Sequence, residues 1–245
     1  MDFTQIILPI CLFFAAFLFS SVGNAGAAGY LAVMAIVGIA PNEMRPAALI
    51  LNILVASIAS YKFLKTKCFS LNVFLPFAIG SIPLSFIGGA VHLPSKGMRF
   101  AIGIVLIIAA FLMIVRVWFH PEYELKKLPF PVGLFSGSII GFLSGLTAIG
   151  GGIFLSPLLV FFKWSTIRNA SGIAALFILV NSISGLLGQI SKGIHVNSNI
   201  WLWSISVIIG GYIGSELGSK KLKKEAIIYF LFCVLIVAAI KMFIT

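Results

Sequence analysis

The stretch with the most chemical potential in this chain carries almost no side chains. It reads Ser144-Gly145-Leu146-Thr147-Ala148-Ile149-Gly150-Gly151-Gly152-Ile153-Phe154-Leu155-Ser156-Pro157, three consecutive glycines inside apolar sequence, with Lys163 and Arg168 downstream. Backbone bare of Cβ atoms can approach a ligand closely and can take positive φ. If a helix restarts after the glycines, its first N–H groups lack intrahelical partners and carry the positive end of the helix dipole. Such a start holds an anion without taking a lysine out of water. A weaker copy lies upstream, Gly23-Asn24-Ala25-Gly26-Ala27-Ala28-Gly29. An offset of 123 lays Gly29 on Gly152 and Arg45 on Arg168, and further downstream an offset of 126 lays Gly88 on Gly214. The pattern predicts a tandem duplication, with repeats at 1–120 and 130–245 joined by a polar linker at 121–129.

The remaining polar inventory suits an anion better than a cation. The candidate substrate-binding residues are Gly150, Gly151, Gly152, Thr147, Ser144, Asn24, Gly26, Gly29, Asn52, Asn181, Arg168 and Arg45, with Ser21, Ser182 and Gln189 as further donors. The acids are Asp2, Glu43, Glu122, Glu124, Glu216 and Glu225, and none falls plainly in mid-segment. A cation carrier usually keeps carboxylates inside the membrane. Each candidate also has a plainer reading. The glycines can serve helix crossing alone, Asn52 and Asn181 can hold helices together, and Arg45 and Arg168 can be ordinary flanking charges. His92, His120 and His195 lie near segment ends and read as interfacial, as do Trp118, Trp201 and Trp203. Gly137, Gly141 and Gly145, and likewise Gly210, Gly214 and Gly218, recur every fourth residue and predict close helix packing.

The elements that must position these residues are membrane helices. Sixty per cent of the chain is hydrophobic and 9% charged, far below the ~25% charge of a soluble domain. The expected fold class is an all-α integral membrane protein without period-two strands. The apolar runs fall at 4–22, 25–40, 43–61, 71–91 and 97–119, then 130–148, 150–162, 166–190, 199–218 and 225–244, five per half. The second run of each half is shorter than the ~30 Å hydrocarbon core, whether it spans or re-enters, so each glycine turn is expected near the bilayer midplane, where irregular backbone survives only beside protein or a cavity. Cys11, Cys68 and Cys233 show no disulfide or metal spacing.

Charge orders the topology. If the first two runs of each half return to their starting side, one face receives Lys62, Lys65, Lys67, Arg116, Lys126, Lys127, Lys163, Arg168, Lys220, Lys221, Lys223 and Lys224. The other receives only Arg45, Lys96, Arg99, Lys192 and Lys241. The positive-inside rule favours this arrangement over one that splits the charges evenly. Five elements per half then make the repeats inverted, with both termini outside, the plan of many secondary transporters.

At the glycine stretch the sequence resembles the TauE/SafE family of membrane anion transporters, the sulfite exporter family. The resemblance rests on Gly145-Leu146-Thr147-Ala148-Ile149-Gly150-Gly151-Gly152 followed by Pro157, on Arg168-Asn169-Ala170-Ser171-Gly172, and on the duplicated Arg45-Pro46-Ala47-Ala48, and it covers essentially the whole chain. The first-half turn departs from the triple-glycine form, so the halves are expected to contribute unequally. The resemblance implies secondary transport of sulfur-containing or organic anions, such as sulfite or organosulfonates, across a bacterial cytoplasmic membrane. The expected partners are a small anion and the lipid bilayer. H+ and Na+ are the candidate coupling ions, and a homo-oligomer is left open. No cofactor, metal, catalytic residue or nucleic-acid partner is expected. A nucleophile–base pair is absent, and the glycines lack the Lys-Ser/Thr of a phosphate loop. The competing readings are a carrier of another small solute and a non-catalytic membrane assembly protein.

Overall fold

The computed structural model describes residues 3–21, 26–66, 68–118, 124–193, 200–218 and 224–244. Among these residues it is all-helical: α1 (Phe3–Ser21), α2 (Ala27–Val37), α3 (Pro41–Lys65), α4 (Leu71–Ala90), α5 (Ser95–Trp118), α6 (Phe130–Thr147), α7 (Gly152–Phe161), α8 (Ile167–Ile190), α9 (Ile200–Gly218) and α10 (Lys224–Ile244). Each expected apolar run becomes one helix. Among the described residues six helices are long and apolar enough to cross a membrane, and α2 and α7 are short apolar helices. Large side chains such as Phe14, Ile79, Phe135, Tyr212 and Phe230 face outward, as expected of a surface solvated by acyl chains.

Local sequence sets the ends of the short helices. Gly26 (φ 89°) precedes α2, and Gly38 (φ 90°) ends it in a left-handed conformation. The Gly38 N–H bonds to the Ala35 carbonyl and the Ile39 N–H to the Met34 carbonyl, both at 3.0–3.1 Å, a Schellman stop. On α7, Gly151 (φ 76°) is the N-cap. Eleven and ten residues give lengths of roughly 16 and 15 Å, about half of the ~30 Å hydrocarbon core.

The packing repeats when every element is advanced by five. α4 lies on α6 as α9 lies on α1, α4 on α8 as α9 on α3, α5 on α7 as α10 on α2, and α3 meets α8 while α5 meets α10 across the centre. The halves therefore interleave. Glycine makes this contact close. A Cβ at Gly137, Gly141 or Gly145 would fall 2.0–2.4 Å from the carbonyl oxygens of Phe77, Ser81 and Ser85 on α4. At Gly210 and Gly214 it would fall 2.2–2.4 Å from those of Phe13 and Phe17 on α1. The small-residue spacing at these five positions is thus a packing device. The surroundings of Gly218 lie outside the described residues.

Contacts also gather the loops at two ends. At one end Lys62 meets Glu216 at 4.0 Å, bonds to Ser215 and sits over the Tyr212 ring. The Lys126 N–H bonds to the Lys163 carbonyl at 2.8 Å, tying the linker to the α7–α8 turn. Gly172 lies against the carbonyl of Cys68. At the other end Lys241 donates to the Ile36 carbonyl, Arg45 reaches Val91, and Gly188 lies against Phe86 and Ala90.

Candidate functional site

The α6–α7 break is built by three consecutive local choices. α6 stops at Thr147, Ala148 turns into the left-handed region (φ 64°), and Gly150 (φ 80°) and Gly151 (φ 76°) continue there. Alanine with positive φ is disfavoured by ~1–2 kcal/mol, so something must hold it. Asn52 does: its Nδ2 donates to the Ala148 carbonyl at 3.3 Å. Seven residues earlier on α3, on the same face and roughly 10 Å along the axis, Arg45 reaches the same helix end. Its Nη2 bonds to the carbonyls of Gly145 (3.4 Å), Gly88 (3.4 Å) and Gly89 (3.2 Å), and Nη1 to that of Val91 (3.4 Å). The carbonyl ends of α4 and α6, both partially negative, thus meet one guanidinium.

Arg45 is 1% exposed. Among the described residues no carboxylate lies within ion-pair distance of it, the ion pair there being Lys62–Glu216. Its Nε has no partner. The described carboxylates Glu43, Glu124 and Glu216 are all exposed.

α8 closes the other side of the break. A Cβ at Gly150 would stand 3.3 Å from Asn52 Nδ2, 3.3 Å from Ser182 Oγ and 2.9 Å from Ile178. At Gly151 it would meet Phe177 (2.8 Å) and Ile140 (3.0 Å), and at Gly152 it would meet Ile178 (2.4 Å). Gly150 therefore looks onto polar atoms and Gly151 and Gly152 onto apolar ones. Asn181 lies one turn from Phe177 and one turn from Gly185, which faces Gly145, so it falls on the strip of α8 alongside the break. Its Nδ2 donates to the Phe177 carbonyl at 2.8 Å, and its own carbonyl accepts from Ser85 Oγ at 2.8 Å.

Several buried polar atoms on these elements have no protein partner: Asn52 Oδ1, Asn181 Oδ1, and the Oγ atoms of Ser144, Ser156 and Ser182. All five residues are at most 2% exposed. Leaving such a group unsatisfied costs about 1–3 kcal/mol, and native structures rarely leave several on adjoining elements. Beside them, the first N–H groups of α7 have no intrahelical acceptor. Thr147 is buried but already donates to Leu143 at 2.7 Å.

Other expected residues are placed elsewhere. Arg168 is exposed at the start of α8, ten residues and about 15 Å of helix from Ile178, so the structure does not bring it to the break. Its equal offset from Arg45 is not a structural equivalence. α3 starts at Pro41 and α8 at Ile167, an offset of 126, which sets Arg168 one turn nearer the start of its helix. Gly26 caps α2 above the Tyr30 ring, and Gly29 packs against Phe19 and Ala15. Asn24 lies outside the described residues. The two short helices do not pack on one another: α7 lies on α8 and α5, and α2 on α1, α3 and α10. Ser85 and Ser156 were not expected at the site. Ser156 falls one turn beyond Gly152, which is the signal that marks it.

The sulfite exporter TauE/SafE family profile matches residues 8–242. The chain belongs to this family. It is 35% identical over 245 residues, 99% of both chains, to "Probable membrane transporter protein y4hK" of Sinorhizobium fredii. It is 26% identical over 196 residues, 71% of this chain and 70% of the relative, to "Probable membrane transporter protein YunE" of Bacillus subtilis. No solved structure matches the chain. The TauE/SafE protein is thus a multi-pass membrane transporter and not an enzyme, which removes the assembly-protein reading.

Proposed function

We propose that this TauE/SafE protein is a secondary transporter of small sulfur-containing or organic anions, of the sulfite and organosulfonate class. The anion sits at the Gly150–Gly152 turn against the start of α7. Asn52, Asn181, Ser144 and Ser182 surround it, with Thr147 beside it. Arg45 supplies a fixed positive charge about two helical turns away. The observation that carries this reading is the group of buried, unpartnered polar atoms on the elements around one helix break. Exposed carboxylates and a buried guanidinium give the interior the sign an anion needs. Gly26 and Gly29 at the start of α2, and Asn24 before them, form the first-half counterpart. Arg168, exposed at the basic end, has no part in holding the anion. The interleaved, pseudo-symmetric halves suit alternating access around a fixed site.

The test is flux in proteoliposomes across sulfite, organosulfonates and carboxylates, with ion gradients held and ATP absent. Uptake is expected to persist without ATP. A flux that stops when ATP alone is withdrawn contradicts secondary transport, and a flux restricted to neutral solutes contradicts the anion.

Orientation follows from charge. The loops near Lys62, Lys126 and Lys163 gather at one end and carry most of the basic residues. We place that end in the cytoplasm of a bacterial inner membrane, with both termini outside. In a variant without the three native cysteines, a cysteine at position 223 is expected to react with an impermeant reagent only from the cytoplasmic side. Labelling from outside would reverse the assignment.

A further inference from the structure

The proposed site is divided into a donor half and an acceptor half, and the division constrains the substrate. The α7 start offers N–H groups and suits an oxyanion. The two carboxamides add fixed acceptors to it. Asn181 gives one N–H of its NH2 to the Phe177 carbonyl at 2.8 Å, and Asn52 gives one of its own to the Ala148 carbonyl at 3.3 Å, which fixes which way each amide faces. A carbonyl accepts only, so turning either amide over would set oxygen against oxygen. Both side chains are 0% exposed, and both are left with an unpartnered Oδ1. The hydroxyls of Ser144 and Ser182 can turn to donate or accept, but the two Oδ1 atoms can only accept. A bare oxyanion would leave these acceptors unmatched or face them with repulsion.

Resting on the anion reading above, we infer that the substrate is a monoanion that also carries its own O–H or N–H. The class comprises the hydrogen form of sulfite and hydroxy- or amino-substituted sulfonates or carboxylates. The oxyanion end meets the N–H groups of α7, and the donor end meets Asn52 and Asn181. A sodium ion is the other electropositive group that would suit two oxygens. It is disfavoured because Arg45 already places a positive charge on the same face of α3, with no carboxylate paired to it among the described residues, and the described carboxylates are all exposed.

The experiment is binding to the purified full chain of matched pairs, methanesulfonate against hydroxymethanesulfonate and acetate against glycolate, each in sodium-free buffer and in sodium. The donor-bearing member of each pair is expected to bind roughly tenfold or more tightly without sodium, and Asn181→Leu to erase the difference. Equal affinities within both pairs overturn the inference while leaving the anion site standing. A preference that appears only with sodium overturns it in favour of a cation. Failure of every anion to bind defeats the site itself. The pairs compare ligands on the unaltered protein, so they decide even if Asn181→Leu does not fold.

Discussion

Arg45→Met is expected to lower anion affinity by about tenfold or more, and Arg45→Ala to destabilise the protein by a few kcal/mol. Among the described residues Arg45 is the largest side chain the fold buries completely. Four carbonyl groups, on Gly88, Gly89, Val91 and Gly145, converge on it. Truncation to alanine leaves a cavity and strands acceptors at the ends of α4 and α6, at about 1–3 kcal/mol for each buried group that finds no water. Methionine restores much of the volume but not the charge. Opposite unit charges about 10 Å apart at an effective dielectric near 20 attract by about 1.7 kcal/mol, worth more than tenfold in affinity. Arg45→Lys keeps the charge as a point and cannot span several carbonyls, so it should hold affinity better than stability. Arg168→Ala, at an exposed position, should stay within about 0.5 kcal/mol of wild type. Thermal unfolding beside equilibrium binding reads all four. Wild-type affinity in Arg45→Met would show that the guanidinium serves only to tie helix ends together.

The difference between the two arginines marks where the sequence stops being legible. Apolar runs translate into membrane helices because length and composition alone decide whether a segment is solvated by lipid. The glycine spacings translate into close contacts for a similar reason, since only a missing Cβ lets backbones approach to that distance. The triple glycine likewise announced a break. Which side of that break is polar was not readable. It depends on how α8 rotates against it, and that rotation sets Ser182 over Gly150 but Phe177 over Gly151. The first-half break could not be ranked either. At the helix-start offset of 126 the counterpart of Asn52 is Ile178, an apolar side chain that packs on Gly150 and Gly152. The packing pattern of the helices thus recurs without the carboxamide recurring at that position. The orphaned oxygens were invisible for a different reason, because a sequence shows that an asparagine is present but not which of its ends is already bonded.

Gly151→Val should abolish anion binding, and Gly150→Ala should weaken it strongly, while Gly214→Ala costs stability more than affinity. The three positions separate by what a new Cβ would meet. At Gly150 it enters the space between Asn52 Nδ2 and Ser182 Oγ, 3.3 Å from each. It therefore takes up room within the polar group itself. At Gly151 it meets Phe177 at 2.8 Å and Ile140 at 3.0 Å, and the residue must also hold φ at 76°. A β-branched side chain tolerates that region poorly. The turn must relax, and the α7 N–H groups turn away with it. Both effects stay local, because the neighbours are side chains that can shift and the turn lies between helices rather than within one. Gly214 is different. Its Cβ would fall 2.2 Å from the Phe17 carbonyl oxygen, so α1 and α9 must move apart along their length with no polar group of the break touched. Binding of the best anion to each purified variant, beside its unfolding midpoint, distinguishes these outcomes. If Gly151→Val and Gly150→Ala both bind like wild type while folding normally, the anion does not sit at this turn and the site lies elsewhere in the bundle.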